Sequence, residues 1–203
     1  MKVRRPIIIE GESVALGVIV EEDLEKFWFW VNDKEVMQYL SDNLFYKIYT
    51  LTMEKQWLDS VLRGQKDTLA FAILLPPEYK LIGITSLGNI DWRNRNAELA
   101  IFIGEKDLWG RGLGTEALVL LLDYAFNVLG LNKVYLRAIE YNERAIKCYL
   151  KVGFKIVGRL RKQRFRGGRY WDEIAMDILA EEFRNKHKSR IKKKLRDLYM
   201  REG

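Results

Sequence analysis

WGRGLGTEAL, residues 109–118, decides how the whole chain is read. Glycines at 110, 112 and 114 alternate with Arg111 and Leu113; an apolar strand-like run precedes them and an apolar helix-like run follows. Without Cβ atoms in the way, backbone N–H groups can converge on a bound group. A helix beginning at Thr115 adds unpaired N–H groups and the positive end of its dipole, and Arg111 adds a cation at the rim. Together they describe an anion site suited to a phosphate or pyrophosphate. The alternative is a strand–helix connection that needs glycines only to turn. A P-loop is excluded because no Gly-Lys-Ser/Thr occurs, and the third glycine comes one residue early for a dinucleotide fingerprint.

Outward from this stretch the periodicity changes twice. Upstream, NAELAIFIG (96–104), LIGITSLGNID (81–91) and DTLAFAILL (67–75) read as strands, and PPEYK (76–80) turns the chain because prolines cannot donate ladder bonds. IIIEGESVALGVIV (7–20) is strand, turn and strand. EEDLEKFWFWVND (21–33) is a helix with acids in its first turn, and Met53 to Arg63 is a second, capped by Thr52. Downstream, Leu118, Leu121, Leu122, Ala125 and Val128 space as a helix from Thr115 to Leu129, stopped by Gly130 and Asn132. KVYLRAI (133–139) is a short buried strand. NERAIKCYLKVG (142–153) is a compact helix between a capping Asn and a terminal Gly. FKIVGRL and RYWDEIAMDIL are strands joined by the loop RFRGGR, and from Ala180 a basic helix carries Phe183, Ile191, Leu195 and Leu198 on one stripe. The class is α/β, a mixed sheet with helices on both faces.

Composition narrows the chemistry. Of 203 residues 48% are apolar, enough for a sizeable core. The single cysteine, Cys148, and single histidine, His187, exclude a disulfide framework and argue against a His/Cys metal centre or a Ser-His-Asp triad, so no metal is expected. No apolar run approaches the ~20 residues that span a bilayer, and MKVRRPIIIEGES has too short an apolar core for a signal peptide. A cytoplasmic protein with no membrane contact is expected. The net charge of +7 belongs to residues 184–203, where nine Lys/Arg face Asp197 and Glu202; residues 1–183 carry 26 charges of each sign.

NAELAIFIGEKDLWGRGLGTEAL followed by NERAIKCYLKVGF resembles the GCN5-related N-acetyltransferase (GNAT) superfamily over roughly residues 7–180. The branches acetylating ribosomal-protein N-termini and polyamines such as spermidine are nearest. The first motif is similar to the Q/R-x-x-G-x-G/A pyrophosphate loop, with Trp109 where Gln or Arg is commoner. The second is similar to Asn-x-x-Ala-x-x-x-Tyr with Gly-Phe after it, matched by Asn142, Ala145, Tyr149, Gly153 and Phe154. The resemblance implies a GNAT domain at 1–183 with a basic tail at 184–203. It implies a twisted, mostly antiparallel sheet with a splayed parallel pair, between whose strands acetyl-CoA lies. The pyrophosphate would meet Trp109, Gly110, Arg111, Gly112, Leu113, Gly114 and Thr115. The pantetheine arm would meet the backbone of Ile101, Phe102 and Ile103, which fits the unpaired donors a splay leaves. Asn142, Ala145, Tyr149 and Lys151 would complete the donor wall.

Moving an acetyl group from a thioester to an amine requires a neutral amine, a stabilised oxyanion and a protonated thiolate. The resemblance makes Tyr149 the general acid; the alternative is a core tyrosine. Glu98, a carboxylate alternating with Ala100 and Phe102 in an apolar strand, is the base candidate, with pairing to Arg93 or Arg95 as the alternative. Cys148 reads as a small core residue, which favours direct attack without an acyl-enzyme. For the acceptor, Asp33, Glu35, Asp172 and Glu173 suit a polyamine, whereas Arg159, Arg161, Lys162, Arg164, Arg166 and Arg169 repel polycations. That balance leans towards protein N-termini of the ribosomal type, with polyamines the alternative and an idle RNA- or ribosome-binding module the third reading. The basic hairpin and tail are candidate RNA contacts; the tail's apolar stripe suits packing on the domain or on a second subunit of a homodimer.

Overall fold

The computed structural model describes residues 5–40, 46–189 and 191. β1 (Ile7–Glu10) and β2 (Ala15–Gly17) open the chain. A short 3-10 turn at Glu21–Asp23 leads into α1 (Leu24–Asn32), which buries Phe27 and Trp30 while Phe29 faces out. Asp33 then accepts a hydrogen bond from the Glu35 N–H and starts a short helix, α2 (Lys34–Met37), that sequence reading missed because four residues carry no periodic signal. α3 (Leu51–Leu62) begins earlier than expected. Thr50, not Thr52, is its cap: Thr50 is extended, and its hydroxyl accepts from the Met53 N–H.

The sheet continues through β3 (Leu69–Leu75), β4 (Lys80–Asp91) and β5 (Asn96–Ile103), three antiparallel neighbours. α4 (Leu113–Asn127) follows, then β6 (Lys133–Ile139), α5 (Glu143–Val152), β7 (Lys155–Arg166), β8 (Arg169–Leu179) and α6 (Ala180–Lys186). β7 runs to Arg166 and β8 starts at Arg169, so the arginines of the expected RFRGGR loop are strand, and the turn shrinks to Gly167 and Gly168. Both have positive φ, 58° and 78°, as a two-residue I′ hairpin demands. The order across the sheet is β1-β2-β3-β4-β5-β6-β8-β7, and only β5–β6 is parallel.

Two clusters fill the two faces of this sheet. Leu118, Leu121, Leu122, Ala125 and Phe126 of α4 pack with Val134, Leu136, Tyr149, Met176 and Phe183 on one face. On the other, Phe27, Trp30, Val36, Met37 and Leu58 cover Ala72, Leu74 and Ile84. The expectation of helices on both faces holds, because strands buried on two sides need a cover on each.

The final helix stops at Lys186, earlier than the sequence stripe suggests, since His187 is extended. Asp123, buried in α4, accepts from the Ser189 hydroxyl and the Ile191 N–H, so the chain here is spent on side-chain and backbone contacts with the body. Leu195 and Leu198 lie outside the described residues. Among the described residues no helix is long and apolar enough to cross a membrane.

Candidate active site

The parallel pair is joined only at its base. Asn96, Ala97 and Glu98 face Lys133, Val134 and Tyr135, and no pairing of β5 with β6 continues above them. From there the strands diverge, leaving Ala100 to Ile103 paired with β4 alone. The gap opens into a cavity of about 800 Å³, within the usual range for a ligand site.

At its upper end, Gly110 and Gly112 adopt positive φ of 77° and 83°, and a Cβ built on either meets nothing within 4 Å. Gly112 is the residue before the first turn of α4, so the helix starts inside the glycine stretch and its free N–H groups face the cavity. The Trp109 indole N–H donates to the Ile103 carbonyl at 2.8 Å. Arg144 lies over its ring at 3.9 Å, and with Arg111, Lys147 and Lys151 it brings four cations to this wall. Open glycine backbone, a helix N-terminus and clustered cations fit the phosphates of a CoA ester. Sequence reading missed Arg144 and Lys147, although their three-residue spacing with Lys151 four further on marks one helical face.

The helix α5 forms this wall because Asn142 caps it, its side chain accepting from the Ala145 N–H at 3.2 Å, and Gly153 ends it. Tyr149 is 9% exposed, its ring edge-on to Phe154, and its hydroxyl has no hydrogen-bond partner among the described residues. Burial pushes that phenol well above its ordinary value, so it stays protonated. Cys148, read from the sequence as a small core residue, packs against the core and also reaches the cavity. Its sulfur sits 3.1 Å from the Thr115 hydroxyl and burial raises its thiol, which disfavours a thiolate nucleophile.

Glu98 occupies the opposite face. Strand alternation puts it with Phe102, Tyr135 and Arg137, away from the buried Ala97 and Leu99. It accepts from the Asn89 amide at 3.0 Å rather than pairing with Arg93 or Arg95. Every donor-side residue named from the sequence, from Ile101 to Lys151, lines this cavity with Glu98 and Tyr149.

Of the four acceptor-side carboxylates, three are spent elsewhere. Asp33 and Glu35 both bind Lys106 at 2.8 Å, which holds the Asp33 carboxyl below its usual range, and Asp172 binds Arg159. Glu173 alone of the four lines the cavity. The hairpin cations are largely spent too. Arg159 pairs with Asp172 and Glu140, Arg164 with Glu173, Arg166 is buried against the Gln38 and Leu40 carbonyls, and Arg169 covers Trp171 at 3.3 Å.

Residues 14–155 match the family model of the acetyltransferase (GNAT) domain. The chain belongs to the GNAT acetyltransferase family. It is 30% identical over 179 residues to the spermidine N(1)-acetyltransferase of Escherichia coli K12, covering 88% of this chain and 92% of that one. A putative ribosomal N-acetyltransferase, YdaF of Bacillus subtilis, is 34% identical over 103 residues, covering 51% of this chain and 56% of that one. In structure it resembles the spermidine N-acetyltransferase of Vibrio cholerae in complex with CoA and spermine, with a TM-score of 0.76, 26% identity, and coverage of 85% and 99%. GNAT acetyltransferases take their acetyl group from acetyl-CoA, and this chain is an N-acetyltransferase of that family. The likeness to the spermidine enzyme of Escherichia coli spans most of the chain and that to the ribosomal type about half.

Proposed function

We propose that the chain transfers the acetyl group of acetyl-CoA directly to a primary amine of a spermidine-type polyamine. The observation that carries this is the near full-length likeness to spermidine acetyltransferases, combined with a cavity that keeps a carboxylate at its acceptor face. The donor's phosphates rest on the glycine loop and the four cations, and its pantetheine arm pairs with the free backbone edge of β5. The amine approaches from the Glu98 face and Tyr149 stands on the other. Nitrogen attacks the thioester carbon; Glu98, directly or through water, takes the amine proton. As the C–S bond breaks, the Tyr149 hydroxyl protonates the leaving sulfur. No acyl-enzyme is needed.

A second reading, a protein α-amino group as acceptor, is favoured by one observation: Arg137 and Arg164 line the same cavity and offset Glu98 and Glu173. The RNA-binding reading loses support, since most hairpin arginines are engaged within the protein. The test follows free thiol released from acetyl-CoA with spermidine, with a short peptide bearing an N-terminal Ser or Ala, and with buffer. Release with spermidine above the peptide is expected. Release with the peptide alone would replace the polyamine reading.

A further inference from the structure

A helix of four residues cannot hold itself in place. α2 is too short to fill its own last carbonyls, so the chain after it takes its position from bonds made elsewhere. Those bonds come from residues 103 to 128 positions further on. Arg166, the last residue of β7 and 4% exposed, donates from one terminal nitrogen to the Gln38 carbonyl and from the other to the Leu40 carbonyl at 2.5 Å. The Tyr141 hydroxyl donates to the same Gln38 carbonyl at 2.6 Å. A guanidinium suits this task, because its rigid fork of N–H groups can fill two acceptors at a fixed spacing.

The two pinned carbonyls flank Tyr39, which decides what the clamp serves. Tyr39 and Leu40 both line the cavity. Leu40 packs in the same cluster as Phe102, which shares the Glu98 face of β5 by alternation. The segment is therefore a wall on the face from which the proposed mechanism brings the amine. The Tyr39 ring also stands 5.9 Å from that of Tyr141 and edge-on to Trp109 at 6.5 Å, so the same wall is set against the glycine loop. Arg166 is outside the cavity lining and acts on the substrates only through this wall.

We propose that Arg166 is a positioning residue for acetyl transfer: by pinning the Gln38 and Leu40 carbonyls it fixes Tyr39 and Leu40 as the wall that aims the acceptor amine at the thioester. This inference rests on the reading above that the amine enters on the Glu98 face, and not on which amine is taken. It gives a buried arginine of the hairpin a part in the reaction without contact with either substrate. Small displacements of an aiming wall matter because attack needs the nitrogen close to the carbonyl carbon and in line with it.

The test measures acetyl transfer by the full chain, Arg166→Lys and Arg166→Met, to whichever of spermidine and the N-terminal Ser peptide the wild-type chain acetylates. Thermal melts set a temperature at which all three are folded. Lysine keeps the charge without the fork, and methionine keeps neither. The acceptor kcat/KM should fall about 10- to 100-fold in Arg166→Met and less in Arg166→Lys, in kcat more than in KM, because a misaimed amine binds but attacks poorly. The acetyl-CoA Kd should stay within about twofold. With Tyr39→Ala and Leu40→Ala already in place, Arg166→Lys should cost less than about twofold more, a dependence that a merely structural role would not produce. Should the arginine variants fail to fold, Tyr141→Phe takes one donor from the Gln38 carbonyl, and the same quantities are read. Losses that add in full to those of the wall variants, or a lowered Tm with an unchanged kcat, overturn the inference while leaving the acetyl-transfer reading in place. A wild-type chain silent on both acceptors overturns both.

Discussion

Replacing Gly112 by alanine separates the backbone role of the glycine stretch from its binding role. The residue has φ of 83°, where an L side chain costs about 1–2 kcal/mol, partly offset by the about 0.4–1 kcal/mol gained from restricting the unfolded chain. The added Cβ meets nothing within 4 Å, so no clash adds to this. The net cost is about 1 kcal/mol, a drop in Tm of about 2–4 °C for a chain of this size. Affinity should suffer more. The methyl group projects into the open space above the first turn of α4, where the donor's phosphates would sit. Losing one charge-assisted backbone hydrogen bond costs about 1.5–3 kcal/mol, or about 10- to 100-fold in Kd. Gly130→Ala is the control: its φ is 69°, its Cβ also meets nothing, and it lies beyond the far end of the same helix, outside the cavity wall. Calorimetric titration with acetyl-CoA beside thermal melts reads both quantities. Equal losses of affinity in the two variants, or an undiminished Kd in Gly112→Ala, would refute the assignment of this loop to the phosphates.

Three further outcomes are expected. Tyr149→Phe should lower kcat about 100-fold with the acetyl-CoA Kd unchanged, since among the described residues the hydroxyl has no hydrogen bond to lose; a kcat within twofold of wild type across the pH range removes it as the acid. Glu98→Gln keeps the bond from Asn89 within reach yet cannot take a proton, so kcat should fall about 100-fold, and a Tm shift without a rate effect would make the residue structural. Glu54, buried in α3, has its carboxyl pushed up to about 7 by burial, so the folded state holds its proton more tightly than the unfolded one. Its contribution to stability is then greatest below about pH 4.5 and is lost as pH rises towards 7. Glu54→Gln should therefore gain about 1–2 kcal/mol over wild type at pH 8 and nothing at pH 4, read by denaturant titration at both pH values.

The sequence was most legible where a pattern was long or a residue type was forced. β6 and α5 fall where KVYLRAI and the Asn142–Gly153 pair put them, because alternation and caps act within one element. Short elements escaped: four-residue α2 rests on the Asp33 cap and on packing of Val36 and Met37, which no local period announces. The length of β7 was also hidden. RFR looks like part of a charged loop, yet its arginines are engaged outside it, Arg164 by Glu173 across the hairpin and Arg166 by the Gln38 and Leu40 carbonyls after α2. These pairings weaken the ground for the acceptor preference read from the charges, since a count of hairpin cations treats spent charges as free ones. The donor wall was readable for the opposite reason. Its glycines and its helix start lie within one stretch, so local chemistry and site coincide.

The proposal that the chemistry sits where β5 and β6 part rests on strand geometry. Divergence after Glu98 leaves backbone donors and acceptors along Ala100 to Ile103 without a strand partner on that side, and such groups need water or a ligand carrying amides. A ligand that takes the place of the missing strand lies in the plane of the sheet. Groups acting on it must then come from above and below that plane. Alternation supplies this without further design: Ala97 and Leu99 turn into the core beneath Tyr149, and Glu98 between them turns to the acceptor face. A slip of one residue in β5 would bury the carboxylate and expose Leu99, placing the proposed base on the same face of the sheet as the proposed acid. The pairing of β5 with β4, seven residues long and antiparallel, fixes that register before any substrate arrives.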